Sequence, residues 1–157
     1  MSVKPIPEGY HAVTPHLVVR GCARAIDFYK KAFGAVECYR MQGPDGKVGH
    51  ADLLIGDSHV MLADEYPDMG YVGPEAAKGT PVTLHLYVND VDSRFAQAIA
   101  AGATSVRPLQ DQFYGDRNGV VRDPFGHVWS ISTHKEDLSE EEIRRRHEEL
   151  AKAHPGS

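Results

Sequence analysis

The chain has 157 residues, 41% hydrophobic and 25% charged, with a formal net charge of −5. That size fits one soluble domain, or two small modules sharing a core. An acidic balance without a long basic run argues against nucleic acid. The absence of a bilayer-length apolar stretch or a signal-peptide core argues against the membrane and makes the cytoplasm the expected compartment. Cys22 and Cys38 are accordingly expected to be reduced thiols.

Residues 1–12 read as an irregular lead-in. Val13 to Val19 alternates, with Val13, Leu17 and Val19 on one face and Thr14, His16 and Val18 on the other. Pro15 lacks a donor and hints at an edge or a bulge. From Cys22 the period changes. Ile26, Tyr29 and Phe33 mark an amphipathic helix that stops at Gly34. Strands follow at 35–42, 48–55 and 58–63, joined by the turn Gly43-Pro44-Asp45-Gly46 and the hairpin signal Gly56-Asp57.

Residues 64–81 hold prolines and glycines without periodicity. They form a linker long enough to be functional or draped over a surface. Val82 opens a second strand, and Asp90 caps a helix carrying Val91, Phe95, Ala98 and Ile99 up to Gly102. Strands at 103–109, 114–122 and 127–133 complete this half. Ser139-Glu140-Glu141-Glu142 is a capping box opening a C-terminal helix whose apolar stripe is thin: Ile143, His147 and Leu150. It either docks on its own domain or reaches a partner subunit. Arg144-Arg145-Arg146, following three glutamates, reads as a salt-bridged helix face.

The second half repeats the first. Val13-Thr14-Pro15-His16-Leu17-Val18-Val19 and Val82-Thr83-Leu84-His85-Leu86-Tyr87-Val88 share the pattern Val-Thr-x-His-Leu-x-Val at an offset of 69 residues. His59-Val60 and His127-Val128 repeat at an offset of 68. A period this long, occurring twice, indicates a duplicated supersecondary module. The expected fold class is α+β: two βαβββ modules, 13–63 and 82–133, in one domain spanning 1–157, with a tail at 134–157.

Two such modules, with Ala25-Ile26-Asp27-Phe28-Tyr29-Lys30-Lys31-Ala32-Phe33-Gly34-Ala35 in the first helix and Arg122-Asp123-Pro124-Phe125-Gly126-His127 before the last strand, resemble the vicinal oxygen chelate superfamily. That superfamily includes glyoxalase I, bleomycin-resistance proteins and extradiol dioxygenases. Phe113-Tyr114-Gly115-Asp116-Arg117 and His50-Ala51 resemble its small PhnB-like subgroup. The resemblance implies a U-shaped mixed sheet with helices on the convex side, a concave active-site cavity and a homodimer. It also implies four metal ligands, from the first and last strand of each module. Carried onto this chain, those positions are Thr14, Leu62, Thr83 and Ser130, which do not suit Zn, Fe, Ni or Mn.

Two function classes therefore stand. One is a cavity protein without a built-in metal, binding a small polar or aromatic molecule through His16, His50, Thr83, His85, Tyr87, Tyr114, Arg117, Ser130 and Ser132. The other is a lyase, isomerase or dioxygenase whose divalent transition metal is displaced by one pleat onto His16 and His85, with His50 or Asp52 as a further donor. His59 and His127 are expected to be structural or surface residues, and His134, His147 and His154 solvated. Trp129 is expected in the core beneath a helix, and Asp-Pro-Phe-Gly is expected to be a fold marker.

Overall fold

A computed structural model describes residues 2–154. The first module contains β1 (His16–Val19), α1 (Cys22–Phe33), β2 (Val36–Gln42), β3 (Val48–Ile55) and β4 (Ser58–Asp64). A 3₁₀ turn at Pro67–Met69 and the short α2 (Pro74–Ala77) break up the linker. The second module contains β5 (Thr83–Tyr87), α3 (Val91–Ala101), β6 (Thr104–Asp111), β7 (Asp116–Arg122) and β8 (Val128–His134), and α4 (Glu140–Ala153) follows. Each module builds a four-stranded mixed sheet, in the orders β1-β4-β3-β2 and β5-β8-β7-β6. In each, the first strand runs parallel to the last and the other pairs are antiparallel. This is the α+β arrangement of two βαβββ units that the repeat announces.

Strand β1 begins at His16 rather than Val13. Pro15 cannot donate to a ladder, and its carbonyl only accepts from Met61 N at 2.9 Å. β1 is an edge strand, where a neighbouring proline is tolerated. The linker is held down rather than free. Arg20 pairs with Glu65 and Glu75, and Glu65 accepts from Gly73 N.

Both helices start on a borrowed or local cap. The Asp64 carboxylate, at the end of β4, accepts from Gly21 N and Cys22 N at the mouth of α1. At the matching place in the second module, Thr133 Oγ1 accepts from Val91 N, while Asp90 accepts from Ser93 N. The helices α1 and α3 pack on each other and on their own sheets. One apolar core runs through both modules. Its aromatic centre joins Tyr29 and Phe33 of α1 to Trp129 of β8, with Phe33 and Trp129 centroids 4.6 Å apart. Trp129 is thus buried under the helices as its alternation predicts, contributing about 0.5–1.5 kcal/mol per aromatic pair beyond area burial.

Helix α4 buries none of its residues fully. It is tethered by Arg146 to Glu136 and the Phe113 carbonyl, and by the His147 ring against Phe113. Ser139 Oγ accepts from Glu142 N as the capping box requires. The descent of Arg145 and Arg146 on Glu142 holds that carboxyl at about 2.

Candidate functional site

Burial assigns the two faces of each sheet. In β1 and β4 the residues Leu17, Val19, Val60 and Leu62 are buried toward α1. His16, His59 and Met61 therefore point to the face away from the helices, as do His50 and Asp52 of β3. There the His16 and His50 rings lie 5.7 Å apart, and Tyr39 of β2 stands 6.4 Å from His50. Burial and the neighbouring His50 both push the His16 pKa below 6.5, disfavouring its charged form.

The linker supplies a wall beside His16. Tyr66 and Tyr71 exchange backbone hydrogen bonds of 2.8 and 3.1 Å in a small antiparallel bridge. Together with Met69, Ala63, Gly49 and His16 they line a cleft of about 290 Å³. Sequence patterning marked the linker as functional or draped but could not say which strand it covers. Tyr66 and Tyr71 carried no periodic signal.

In the second module Thr83, His85 and Tyr87 share the face away from the helices, with His85 opposite Ser130 and Tyr87 opposite Ser132 in the ladder. The shared face agrees with the alternation, but the accessibility differs. Ser130 and Ser132 are buried, and Asn118 of β7 donates to their hydroxyls at 2.7 and 2.8 Å. Both serine oxygens thus accept from Asn118. Tyr87 donates to Asp116 at 2.9 Å, and that bond raises the phenol's pKa. The sequence singles out Asp116 only within the Phe113–Arg117 motif and does not single out Asn118, although period-two alternation within β7 puts both on this face.

Arg117 is one residue out of phase with them. It points toward α3, pairing with Asp92 and Asp111, so it is an intramodule clamp and not part of the open face. Tyr114 lies in the turn before β7, its ring edge-on to Phe113 at 5.2 Å. His134, expected to be solvated, bridges Asp116 and Asp137. Between the modules lies a second cavity, of about 440 Å³, where Thr14 and His59 meet His85 and Tyr87.

The donor set at the four superfamily metal positions can now be read from the ladders. His16 pairs with Met61 and His85 with Ser130, so the counterpart of Ser130 is Met61. Leu62 is fully buried under α1. The offset of 68 is a drift in the preceding turn; within the strands the repeat holds at 69. Threonine, methionine, threonine and serine do not fit a transition-metal quartet. His59, opposite Leu54 and two residues before Met61, sits on the open face. The displaced pair is also separated in its surroundings: His16 neighbours His50, whereas His85 neighbours Tyr87 at 4.6 Å. Among the described residues, neither belongs to a cluster of three metal-donor side chains.

Comparison with known proteins agrees with this architecture. A protein of Mycobacterium tuberculosis is 52% identical over 136 residues, covering 85% of this chain and 80% of the relative. The crystal structure of TioX from Micromonospora sp. ML1 is 33% identical with a TM-score of 0.64, covering 79% of this chain and 98% of that one. A PhnB protein from Bacillus cereus, at 19% identity and a TM-score of 0.62 over 78% and 99% of the two chains, shares the fold. The family description "Glyoxalase/Bleomycin resistance protein/Dioxygenase superfamily" matches residues 10–131, nearly all of both modules. With the duplicated βαβββ units, the Asp-Pro-Phe-Gly turn and this match together, the chain belongs to the glyoxalase/bleomycin resistance protein/dioxygenase superfamily.

Proposed function

We propose that this protein binds a small polar aromatic molecule on the open face of its first module, against His16 and His50 and beneath the Tyr66–Tyr71 bridge. The observation that supports it is the cleft itself, where Tyr66, Tyr71 and Met69 surround His16, with the His50 ring beside His16 and Tyr39 beside His50 on the same sheet face. Flat rings stack on such a lining, while the imidazoles orient a polar substituent. In this reading the protein binds or sequesters its ligand without a metal at the superfamily positions, since Thr14, Met61, Thr83 and Ser130 are poor donors.

Tyr39, Met41 and Tyr87 are more than half exposed on these faces. Such apolar exposure supports a homodimer in which a second copy closes the cleft. Both cysteines are free thiols, which supports the cytoplasm as the compartment. No described helix is long and apolar enough to cross a membrane.

The test is direct binding by the full chain. Titration with the aromatic probe anilinonaphthalene sulfonate, then competition by a panel of aromatic acids and amides, should give saturable binding. The His16→Ala/His50→Ala double variant should weaken it at least about tenfold, or ~1.4 kcal/mol. Unchanged affinity in a folded double variant would defeat the assignment. Turnover that needs an added metal and is lost in His16→Ala/His85→Ala would favour the enzymatic reading instead.

A further inference from the structure

The duplication permits a controlled comparison of the two open faces, position by position. In the β2–β3 ladder, Glu37 opposes Leu53 and Tyr39 opposes Asp52, leaving Cys38 as the extra residue of a β-bulge. In the β6–β7 ladder, Ser105 opposes Val121 and Arg107 opposes Val120, leaving Val106 in the same place. Asp52 and Val120 are therefore equivalent. His59 opposes Leu54 as Val128 opposes Arg122, so His59 and Val128 are equivalent too. The second module fills these three positions with Val106, Val120 and Val128. The first fills them with a thiol, a carboxylate and an imidazole.

The backbone at this site is thus satisfied by three valines, and three donor side chains are not a requirement of the fold. They also converge. One potential ligand atom from each of Cys38, Asp52 and His59 lies within 4.8 Å of the other two. His59 Nδ1 and Asp52 Oδ1 are 2.6 Å apart, sharing a proton. The thiol takes no part in that contact; its own hydrogen bond is a long 3.8 Å to Val36 O in the same strand. We infer that Cys38, Asp52 and His59 form a binding site for a divalent soft-to-borderline cation of the zinc type, distinct from the superfamily's metal positions.

Thiolate, imidazole and carboxylate are the three donor types that zinc takes, and three protein ligands leave a fourth position open. A tetrahedral ion needs its donors about 3.5 Å apart. For that spacing the 2.6 Å contact of His59 with Asp52 opens, and the thiol closes in from within 4.8 Å of both. Binding releases the thiol proton to solvent, while the His59 imidazole binds as its neutral tautomer with the proton on Nε2. Asp52 is buried and Cys38 exposed, which gives the site one anchored anion and an access route from solvent. Tyr10, from the lead-in, acts as the outer support. Its hydroxyl donates to Asp52 Oδ2 and its ring stacks on His59 at 3.9 Å. That leaves Oδ1 for the ion and fixes the imidazole plane.

A trio of aspartate, histidine and tyrosine is not by itself a metal site. Asp116, His134 and Tyr87 make a similar trio in the second module without a thiol. The added cysteine at the bulge is what distinguishes the first, and it defines the test. Reduced, untagged, metal-free full-length protein is titrated with Co²⁺ and, in competition with a chromogenic chelator, with Zn²⁺. The expected result is equimolar binding with a thiolate-to-cobalt charge-transfer band. Cys38→Ser should abolish the band and weaken Zn²⁺ by more than about 100-fold, and Tyr10→Phe by about 10- to 100-fold. Cys38 is exposed, so its variant should keep the wild-type circular dichroism and melting temperature. His16→Ala/His50→Ala should leave the metal affinity unchanged. Three results each overturn the inference: no Zn²⁺ uptake at micromolar metal, undiminished uptake by Cys38→Ser, or loss of uptake that follows His16 and His50.

Discussion

The Tyr29 hydroxyl of the first module donates to Asp123 of the second at 2.5 Å, in the middle of the shared core. Asp123 also accepts from Trp129 Nε1 and from the backbone N–H groups of Phe125 and His127. The Asp-Pro-Phe-Gly turn is therefore more than a tight turn: its carboxylate locks α1 to β8. Burial and the adjacent carboxylate hold the Tyr29 phenol neutral, with its pKa well above 10.

Removing either end of this bond should be felt globally. Tyr29→Phe leaves a buried carboxylate short of a donor and should destabilise the fold by about 1–3 kcal/mol. Asp123→Ala strands several buried donors at once and should lose more than about 3 kcal/mol. Urea unfolding followed by Trp129 fluorescence measures both. Equal stability of Tyr29→Phe and wild type would show that the modules dock by apolar packing alone.

Gly119 in β7 is a packing glycine. A Cβ there would meet Phe95 Cε2 at 2.7 Å and Leu109 Cδ2 at 3.1 Å. Gly119→Ala should push Phe95 and α3 off the second sheet, at about 1–3 kcal/mol of overpacking. A melting temperature within a degree or so of wild type would mean that Phe95 yields freely.

His134 carries a pH dependence of definite sign. Hydrogen bonds to Asp116 and Asp137 raise its pKa above 6.5. Its stabilisation is therefore fully present below 6.5 and lost as pH rises through the raised value. Between about pH 6 and about pH 8.5 the wild type should lose more melting temperature than His134→Asn. Parallel curves for the two proteins would remove His134 from the pH response.

His16 behaves in the opposite sense, because burial and His50 disfavour its charged form. Its lowered pKa makes the folded state less willing than the unfolded chain to take the proton, so it lowers stability as pH falls through 6.5. Histidine NMR titration should find His16 below its ordinary value, and His50→Ala should move it partway back. A His16 titration unmoved by that variant would leave burial as the sole cause.

Much of this was written in local sequence. The βαβββ repeat follows from paired motifs, α1 from the spacing of Ile26, Tyr29 and Phe33, and the core position of Trp129 from alternation in β8. These signals act over a few residues, within one element, and the 3.6 and 2.0 periods transmit them directly. The shared face of Thr83, His85, Tyr87, Ser130 and Ser132 was legible for the same reason.

What only the tertiary structure decided depends on parity and on contacts across elements. A one-residue drift in the turn before β8 exchanged Leu62 for Met61 and carried His59 onto the open face, because a single step reverses every side chain of a strand. The bulge at Cys38 shifted the phase of β2, so that Tyr39 opposes Asp52 where plain alternation from Val36 would put Cys38. Asn118 donates to two hydroxyls that the sequence offered to a ligand, and Arg117 is turned to α3. The linker's Tyr66 and Tyr71 found His16 only because Asp64, Glu65 and Arg20 fix where that loop lies. Sequence alone thus determined the modules and their cores. Which polar groups pair with one another was decided by hydrogen bonds between residues far apart in the chain, which no local period encodes.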